Sequence, residues 1–393
     1  MIDEVERLCY TLYMSDLERL QLLTKQMHLE PAEDCNHPPL SSQGQSAIAV
    51  KAAIMPNGQT IRLLKTLLSS YCENNCIYCP FRSQRDIPRA SFKPDDFARL
   101  FVHLHQSGFV EGIFLSSSIF RGAIKTQDLL IDTATILRKR YQYQGYLHLK
   151  IMPGAEKDQV LQAMKLSDRL SVNLEAPNSH TLSYLAPKKD FEDELLRPLH
   201  WIEEFRQTLS PHQAWNNKWP SSTTQFVVGA AGESDLDLLT TTEYLYNRER
   251  ISRTYFSSFT PIENTPLENK PASPTRREYR LYQASFLIRD YGFSIEDLVY
   301  RNTGNLPLEL DPKLAWAQRH LVERPIEINI APKQSLLRIP GIGPARARSI
   351  IALRNQQKIR TFSLLRKHNL VSPNSAPYIL VDGKSPAKQL QLF

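Results

Sequence analysis

Three of the five cysteines fall within eight residues, in the segment YCENNCIYC, as Cys72, Cys76 and Cys79. Three thiolates on one short loop can ligate three irons of a cubane 4Fe–4S cluster and leave the fourth iron open. That opening matters, because a fully ligated cluster transfers electrons whereas an open one can also bind a ligand. A structural zinc is the alternative. It needs a fourth donor, which Cys9, Cys35 or His37 would supply, although the x3-x2 spacing is unusual for zinc. Five cysteines in 393 residues make no disulfide framework.

A second constellation lies near the C-terminus. The string LLRIPGIGPARARSII has the form of a helix-hairpin-helix motif, with Pro340, Gly341, Ile342 and Gly343 as a tight turn between two helices. Glycines let a backbone come close to a ligand, and the free N–H groups at the start of the second helix attract anions. Lys333, Arg346 and Arg348, with Arg338, add positive charge near that turn. From Lys333 to Lys367 there are nine Lys and Arg and no Asp or Glu. Such a module would grip phosphates rather than read bases, giving salt-sensitive, largely sequence-independent DNA binding. The bland alternative is a helical hairpin used only for packing.

The elements that must position the cysteines are legible as an alternation. Short apolar strands are expected at Arg62–Leu67, Gly112–Leu115, Tyr146–Ile151, Arg169–Leu174, Thr224–Val228 and Thr254–Ser257. Helices are expected between them, over Pro94–Gln106, Asp128–Tyr141, Lys157–Leu166, Phe191–Leu209 and Asp235–Asn247. Pro94 suits a first helical position, and Gly108 a stop. Six such alternations predict an α/β fold, a parallel sheet partly closed into a (βα)6 barrel, with its active site at the C-terminal strand ends. The expected organisation is an N-terminal extension over 1–58, the barrel over 59–300, a linker over 301–324 and a small all-α helix-hairpin-helix domain over 325–393.

The bulk properties are those of an ordinary globular protein, with 41% hydrophobic residues, 23% charged residues and a net charge of +7. Apolar runs are too short to span a bilayer and no secretory signal is visible, so no membrane association and a cytoplasmic location are expected.

Cys72-x3-Cys76-x-Tyr78-Cys79 after a first strand resembles the radical S-adenosylmethionine (SAM) superfamily. YCENNCIYCPFRSQRDIPRASF, GYLHLKIMPGA, LSVNLEAP, LAPKKD, YFSSFTPIENTPL and the PGIGP tail resemble, over about residues 55 to 393, one group within it. These are the DNA modification or repair radical SAM proteins, often encoded beside a uracil-DNA-glycosylase-like protein. The resemblance implies a 4Fe–4S cluster and SAM as cofactors, and an electron donor such as flavodoxin or ferredoxin. Reductive cleavage of SAM would then yield a 5′-deoxyadenosyl radical. It implies SAM contacts at Ser116, Ser117 and Ser118, where the superfamily commonly has Gly-Gly-Glu, and near Gly229, where it lays the adenine. Asn173 and Glu175 would reach the ribose or the methionine moiety, or simply solvate a strand end. Lys150 would meet the SAM carboxylate or substrate, or else pair with a carboxylate such as Glu175. Tyr78 would pack over the cofactor or be a plain loop aromatic. Arg82, Arg85 and Arg89 would guide a phosphate backbone or solvate their loop.

Radical SAM modification or repair of a DNA nucleotide is therefore the leading expectation. A DNA-binding Fe–S protein with a structural or redox-sensing cluster, or a radical SAM enzyme acting on tRNA or protein, are the alternatives.

Overall fold

The computed structural model describes residues 14–25, 27, 48, 50–55 and 58–386. Cys9, Cys35, His37 and most of the stretch around them lie outside the described residues. The chain divides into two compact units, Met1–Glu233 with Leu245–Ser273, and Ser234–Tyr244 with Pro274–Phe393.

The first unit is built on a seven-stranded sheet whose strands follow one another in chain order. They are β1 (Val50–Ile54), β2 (Thr60–Leu67), β3 (Gly112–Ser116), β4 (Tyr146–Lys150), β5 (Arg169–Ser171), β6 (Ser221–Val228) and β7 (Arg253–Ser258). β2 to β7 are parallel, and β1 lies antiparallel along the outer edge of β2. No pairing joins β7 back to β1 or β2 among the described residues, so the sheet is open. Helices return the chain between parallel strands and cover their apolar runs. All five residues of β3 are buried, as a strand covered on both faces requires.

α1 (Asp16–Thr24) begins on a Ser15–Glu18 capping box and buries Leu20 and Leu23. α2 (Pro94–Gln106) starts on Pro94, buries Phe97 and Phe101, and is followed by Gly108 at φ +73°. α3 (Ala123–Thr135), α4 (Lys157–Leu166) and α5 (Ser179–Leu185) precede α6 (Arg197–Thr208), and α7 spans Asp235–Arg248. All six expected strands and five expected helices are present, with ends shifted by a few residues. Residues 1–58, however, are not merely an extension. Val50–Ile54 is a sheet strand, and Lys65 of β2 donates to the Met27 carbonyl at 3.1 Å, which ties the α1 segment to the sheet.

Residues 301–324, expected as a linker, contain α9 (Pro312–His320), which packs on α8 (Thr275–Tyr291). Ala317 and Leu321 share one apolar core with Ile328, Leu336, Ile342 and Ile350. A linker exposes its side chains, whereas this segment brings an amphipathic helix to that core. The tail holds α10 (Lys333–Arg338), α11 (Pro344–Gln356) and α12 (Phe362–Lys367). It is not all-α, because β8 (Ile326–Glu327) and β9 (Ile379–Leu380) form a short parallel pair. No helix among the described residues is long and apolar enough to cross a membrane.

Candidate functional site

The cysteine loop leaves β2 and is fixed by the backbone groups around it. Ile77 N–H donates to the Leu185 carbonyl at 2.9 Å, and Glu73 N–H to the Ile119 carbonyl at 2.8 Å. The Glu73 carboxylate accepts the Arg121 N–H at 2.5 Å and the Gly122 N–H at 3.2 Å, at the start of α3. Arg89 donates to four carbonyls of this region, those of Ser70, Phe81, Arg82 and Arg85, at 2.5 to 3.0 Å. Arg82 is buried and donates to Asn75 at 2.7 Å, while Arg85 donates to the carbonyls of Pro80 and Glu263. The three arginines therefore hold the loop together from within. Neither expected role, phosphate guidance or loop solvation, accounts for those bonds.

What the loop presents is a hollow at the C-terminal ends of the parallel strands. Cys72, Cys76, Tyr78 and Cys79 line it with Ser116 at the end of β3, Ser117 and Ser118 just beyond it, Lys150 at the end of β4, and Asn173 and Glu175 after β5. β5 is cut short because the chain bends away after Ser171 and returns as a single bridge, Glu175 opposite Phe226. Glu175 takes a left-handed conformation there, φ +64°, a conformation that costs a residue with a Cβ about 1 kcal/mol or more. Asn173 and Glu175, two residues apart, both line the hollow at this bend. Asn173 donates to Gln225 on β6 at 3.4 Å.

Lys189 completes the wall and was not singled out in the sequence, where it is one of two lysines in LAPKKD. Its ammonium lies 3.4 Å from Glu175, with both side chains about nine-tenths buried. Burial works against the Lys189 charge, but Glu175 and the charges of Cys76 and Cys79 outweigh it and raise its pKa. Burial raises the Cys76 and Cys79 thiols, and each is raised further by the neighbouring cysteine charges. Burial, and then the nearby Glu175 carboxylate, raise the Tyr78 phenol well above its ordinary pKa. Thiols so placed become thiolates when a cationic centre is bound between them. No group of His, Cys, Asp and Glu among the described residues is gathered as a site for a single metal ion. Three free thiols facing one hollow beside an ammonium are a donor set that fits an iron–sulfur cluster.

A second hollow adjoins the first through Tyr78, Cys79, Phe81, Asn173 and Glu175. Its further walls include Gln225, Ser257, Phe259 and Thr260, together with Met27 from the segment after α1. Ser257, Phe259 and Thr260 fall in the YFSSFTPIENTPL stretch of the resemblance, while Gln225 has no signal in the sequence, since a polar residue near a strand end looks like ordinary solvation. Gly229 does not line either hollow. It sits beyond β6 at φ +90°, and its N–H is held by the Glu233 carboxylate.

In the second unit, α10 and α11 flank the expected hairpin turn. Gly341 has φ +82°, and a Cβ on it would meet the Ser372 hydroxyl at 2.8 Å. A Cβ on Gly343 would meet the Tyr291 hydroxyl at 3.0 Å. Gly341 is thus favoured by its positive φ and by Ser372, whereas at Gly343 the Tyr291 hydroxyl alone would have to give by a few tenths of an ångström. Ile342 is fully buried, Arg346 donates to the Gly341 carbonyl at 2.6 Å, and Lys333 and Arg348 are exposed. Arg338 pairs with Asp297 at 2.9 Å and lies over the Phe293 ring at 3.9 Å, so it is built into the fold. Arg354 donates to the Ile328 and Ala331 carbonyls.

No family model and no curated protein matches the chain. Among solved structures it is similar to the FeFe-hydrogenase maturase HydG from Carboxydothermus hydrogenoformans, at 16% identity and TM-score 0.45, over 58% of this chain and 51% of that one. Methylornithine synthase (PylB) aligns at 13% identity and TM-score 0.44, over 58% of this chain and 61% of that one. A radical SAM methyltransferase from Sphaerobacter thermophilus aligns at 11% identity and TM-score 0.44, over 63% and 73%. The chain spans about half the length of the HydG structures it matches.

Proposed function

We propose that this chain is a radical SAM enzyme acting on a nucleotide of DNA. The observation that carries the first part is the convergence of Cys72, Cys76 and Cys79 with Lys150, Asn173, Glu175 and Lys189 on one hollow at the C-terminal strand ends. Ligands gather at that end of a parallel sheet because the strands fix the positions of loops whose sequences are free to vary. A cluster with one open iron, with SAM bound to it, supplies on reduction a 5′-deoxyadenosyl radical that takes a hydrogen atom from substrate.

The chain's own groups prepare that site. The three thiolates hold the cluster, and the Lys189 ammonium offsets part of their negative charge. Lys150 suits the SAM carboxylate, Glu175 its ammonium and Asn173 a ribose hydroxyl. In the adjoining hollow Phe81 and Phe259 offer apolar walls, while Gln225, Ser257 and Thr260 offer hydrogen bonds. Such a mixture suits an extruded base, kept from water by its neighbours.

Support for DNA lies in the second unit. Of its nine cations between Lys333 and Lys367, Arg338, Arg346 and Arg354 serve the fold and Lys358 pairs with Asp382 at 2.5 Å, whereas Lys333, Arg348, Arg360, Arg366 and Lys367 are exposed. With no acid in that run, the surface suits a polyanion held by its phosphates.

Anaerobic reconstitution with iron and sulfide, followed by dithionite and SAM, tests the reaction. Formation of 5′-deoxyadenosine and methionine is expected, and its failure would leave a structural or redox-sensing cluster. Salt-dependent affinities for duplex, single-stranded DNA and tRNA test the substrate class, and preference for tRNA would overturn the DNA assignment. Point variants of exposed cations are the right controls, because truncation at residue 325 would split the core that Ala317 and Leu321 share with Ile328.

A further inference from the structure

Beside the hairpin of the second unit lies a hollow of about 470 Å³, within the size range of ligand sites, about 300–1,000 Å³. It is distinct from the cysteine site. Phe286, Leu287 and Tyr291 of α8 line it together with Lys313 and Leu314 of α9, the Pro340–Gly343 turn, and Ser372 and Asn374.

Lys313 is the unusual member of this set. It is only 8% exposed, although a lysine normally keeps its ammonium in water. It donates to the Ile342 carbonyl at 2.6 Å and lies over the Tyr291 ring at 4.6 Å. In its protonated form, which a bound anion would favour, the Lys313 ammonium carries three donors, and these two contacts leave it capacity for an anion. Asp311, which also lines the hollow, keeps its charge but turns its oxygens to other donors, the Leu314 N–H at 3.0 Å and Gln283 at 2.5 Å. The start of α11 adds positive potential, since Gly343 lines the hollow and no side chain caps that end.

We propose that this hollow binds a nucleoside monophosphate unit, its phosphate on Lys313 and the Gly343 end of α11, its base against Tyr291 and Phe286. Ser372 and Asn374 supply hydrogen bonds to it. The unit is either a free mononucleotide or a nucleotide of a DNA strand. In the second case the hollow extends the DNA reading above, on which that case rests. Lys313 lies outside the stretch that carries the hairpin motif, so the motif alone would never have found it.

The test uses the full-length protein and dAMP, with deoxyadenosine and inorganic phosphate as partial ligands, followed by calorimetry and by 31P NMR. The expected result is that dAMP binds at least tenfold more tightly than either fragment. Lys313→Met should weaken dAMP at least tenfold while leaving deoxyadenosine unchanged, and Lys313→Arg should restore part of the loss. Equal affinities for dAMP and inorganic phosphate would overturn the nucleotide assignment. So would absence of dAMP binding to the wild-type protein, a result that stands whether or not the Lys313 variants fold. Displacement of dAMP by a 5′-phosphorylated oligonucleotide assigns the unit to a strand, and its failure assigns it to a free mononucleotide. Duplex affinity of Lys333→Gln and Arg348→Gln, measured in parallel, reports on the DNA reading separately, since neither residue lines the hollow.

Discussion

The cysteine loop and the glycine hairpin look alike as sequences, each a short run of special residues at a fixed spacing, but the fold treats them in opposite ways. Around the cysteines, other groups satisfy the loop: Arg89 takes four of its carbonyls and Glu73 anchors it to the start of α3. The thiols are left facing a hollow. In the hairpin the special residues are themselves engaged, Gly341 against Ser372, Gly343 against Tyr291, and Arg346 on the Gly341 carbonyl. A motif residue is available to a ligand only when packing has not already claimed it. By that criterion the ligand-facing groups of the second region are Lys313, the uncapped Gly343 end of α11 and the exposed cations.

The sharpest way to break this comparison is to remove the thiols. Cys72→Ala, Cys76→Ala and Cys79→Ala should each reduce SAM cleavage to background and cut the iron content after reconstitution, with little change in far-UV circular dichroism. Wild-type iron content in any one of them would show that this thiol is not a ligand. Next in size is the buried pair behind them. Lys189→Met leaves Glu175 buried without its ammonium and should cost about 3–5 kcal/mol in chemical unfolding, with Glu175→Gln in the same chain recovering much of it. Additive losses in the double variant would show that the pair is not coupled.

Arg89→Met should cost about 2–4 kcal/mol and speed proteolysis within residues 70–90, because buried carbonyls lose their donors. Unchanged proteolysis would mean that the loop does not depend on it. In the second unit, burial lowers the Lys313 pKa from 10.5 to about 7, against the pull of Asp311 and with help from Arg338. Between those values the unfolded chain keeps a proton that the folded chain releases. Stability should therefore rise with pH from about 7 toward 10.5, by up to about 1.4 kcal/mol per pH unit from this group, and Lys313→Met should remove that contribution. The smallest effect separates two arginines of one helix. Arg348→Gln should lower the salt slope of DNA binding by about one without changing stability. Arg354→Gln should cost about 1 kcal/mol of stability and leave the slope unchanged.

The alternation of β2 to β7 with their helices was legible because buried parallel strands and amphipathic helices carry different apolar periods. β1 was not, since VKAAI is an edge strand with only Ala53 buried and little pattern to show. α9 was hidden by the prolines and glycine on either side of it. In the site, the cysteines were legible from spacing, and Ser116, Lys150, Asn173 and Glu175 from their places at strand ends. Lys189 was not, because it reaches the hollow from a loop position that no period marks, and Met27 reads only as the last residue of an apolar helical stripe with Leu17, Leu20 and Leu23. The roles of Arg82, Arg85 and Arg89 were misjudged for a related reason: a run of arginines looks like a charged surface until the carbonyls that it serves are seen.

Cys72, Cys76 and Cys79 would hold a cluster in the hollow that Glu175 also lines, with one iron left to bind SAM. The most direct measurement is electron–nuclear double resonance on the reduced, reconstituted protein with SAM carrying 15N at its methionine amine. The account predicts a strong 15N hyperfine coupling that is absent without SAM and lost in Cys76→Ala. A reduced cluster whose spectrum is unchanged by SAM would contradict it.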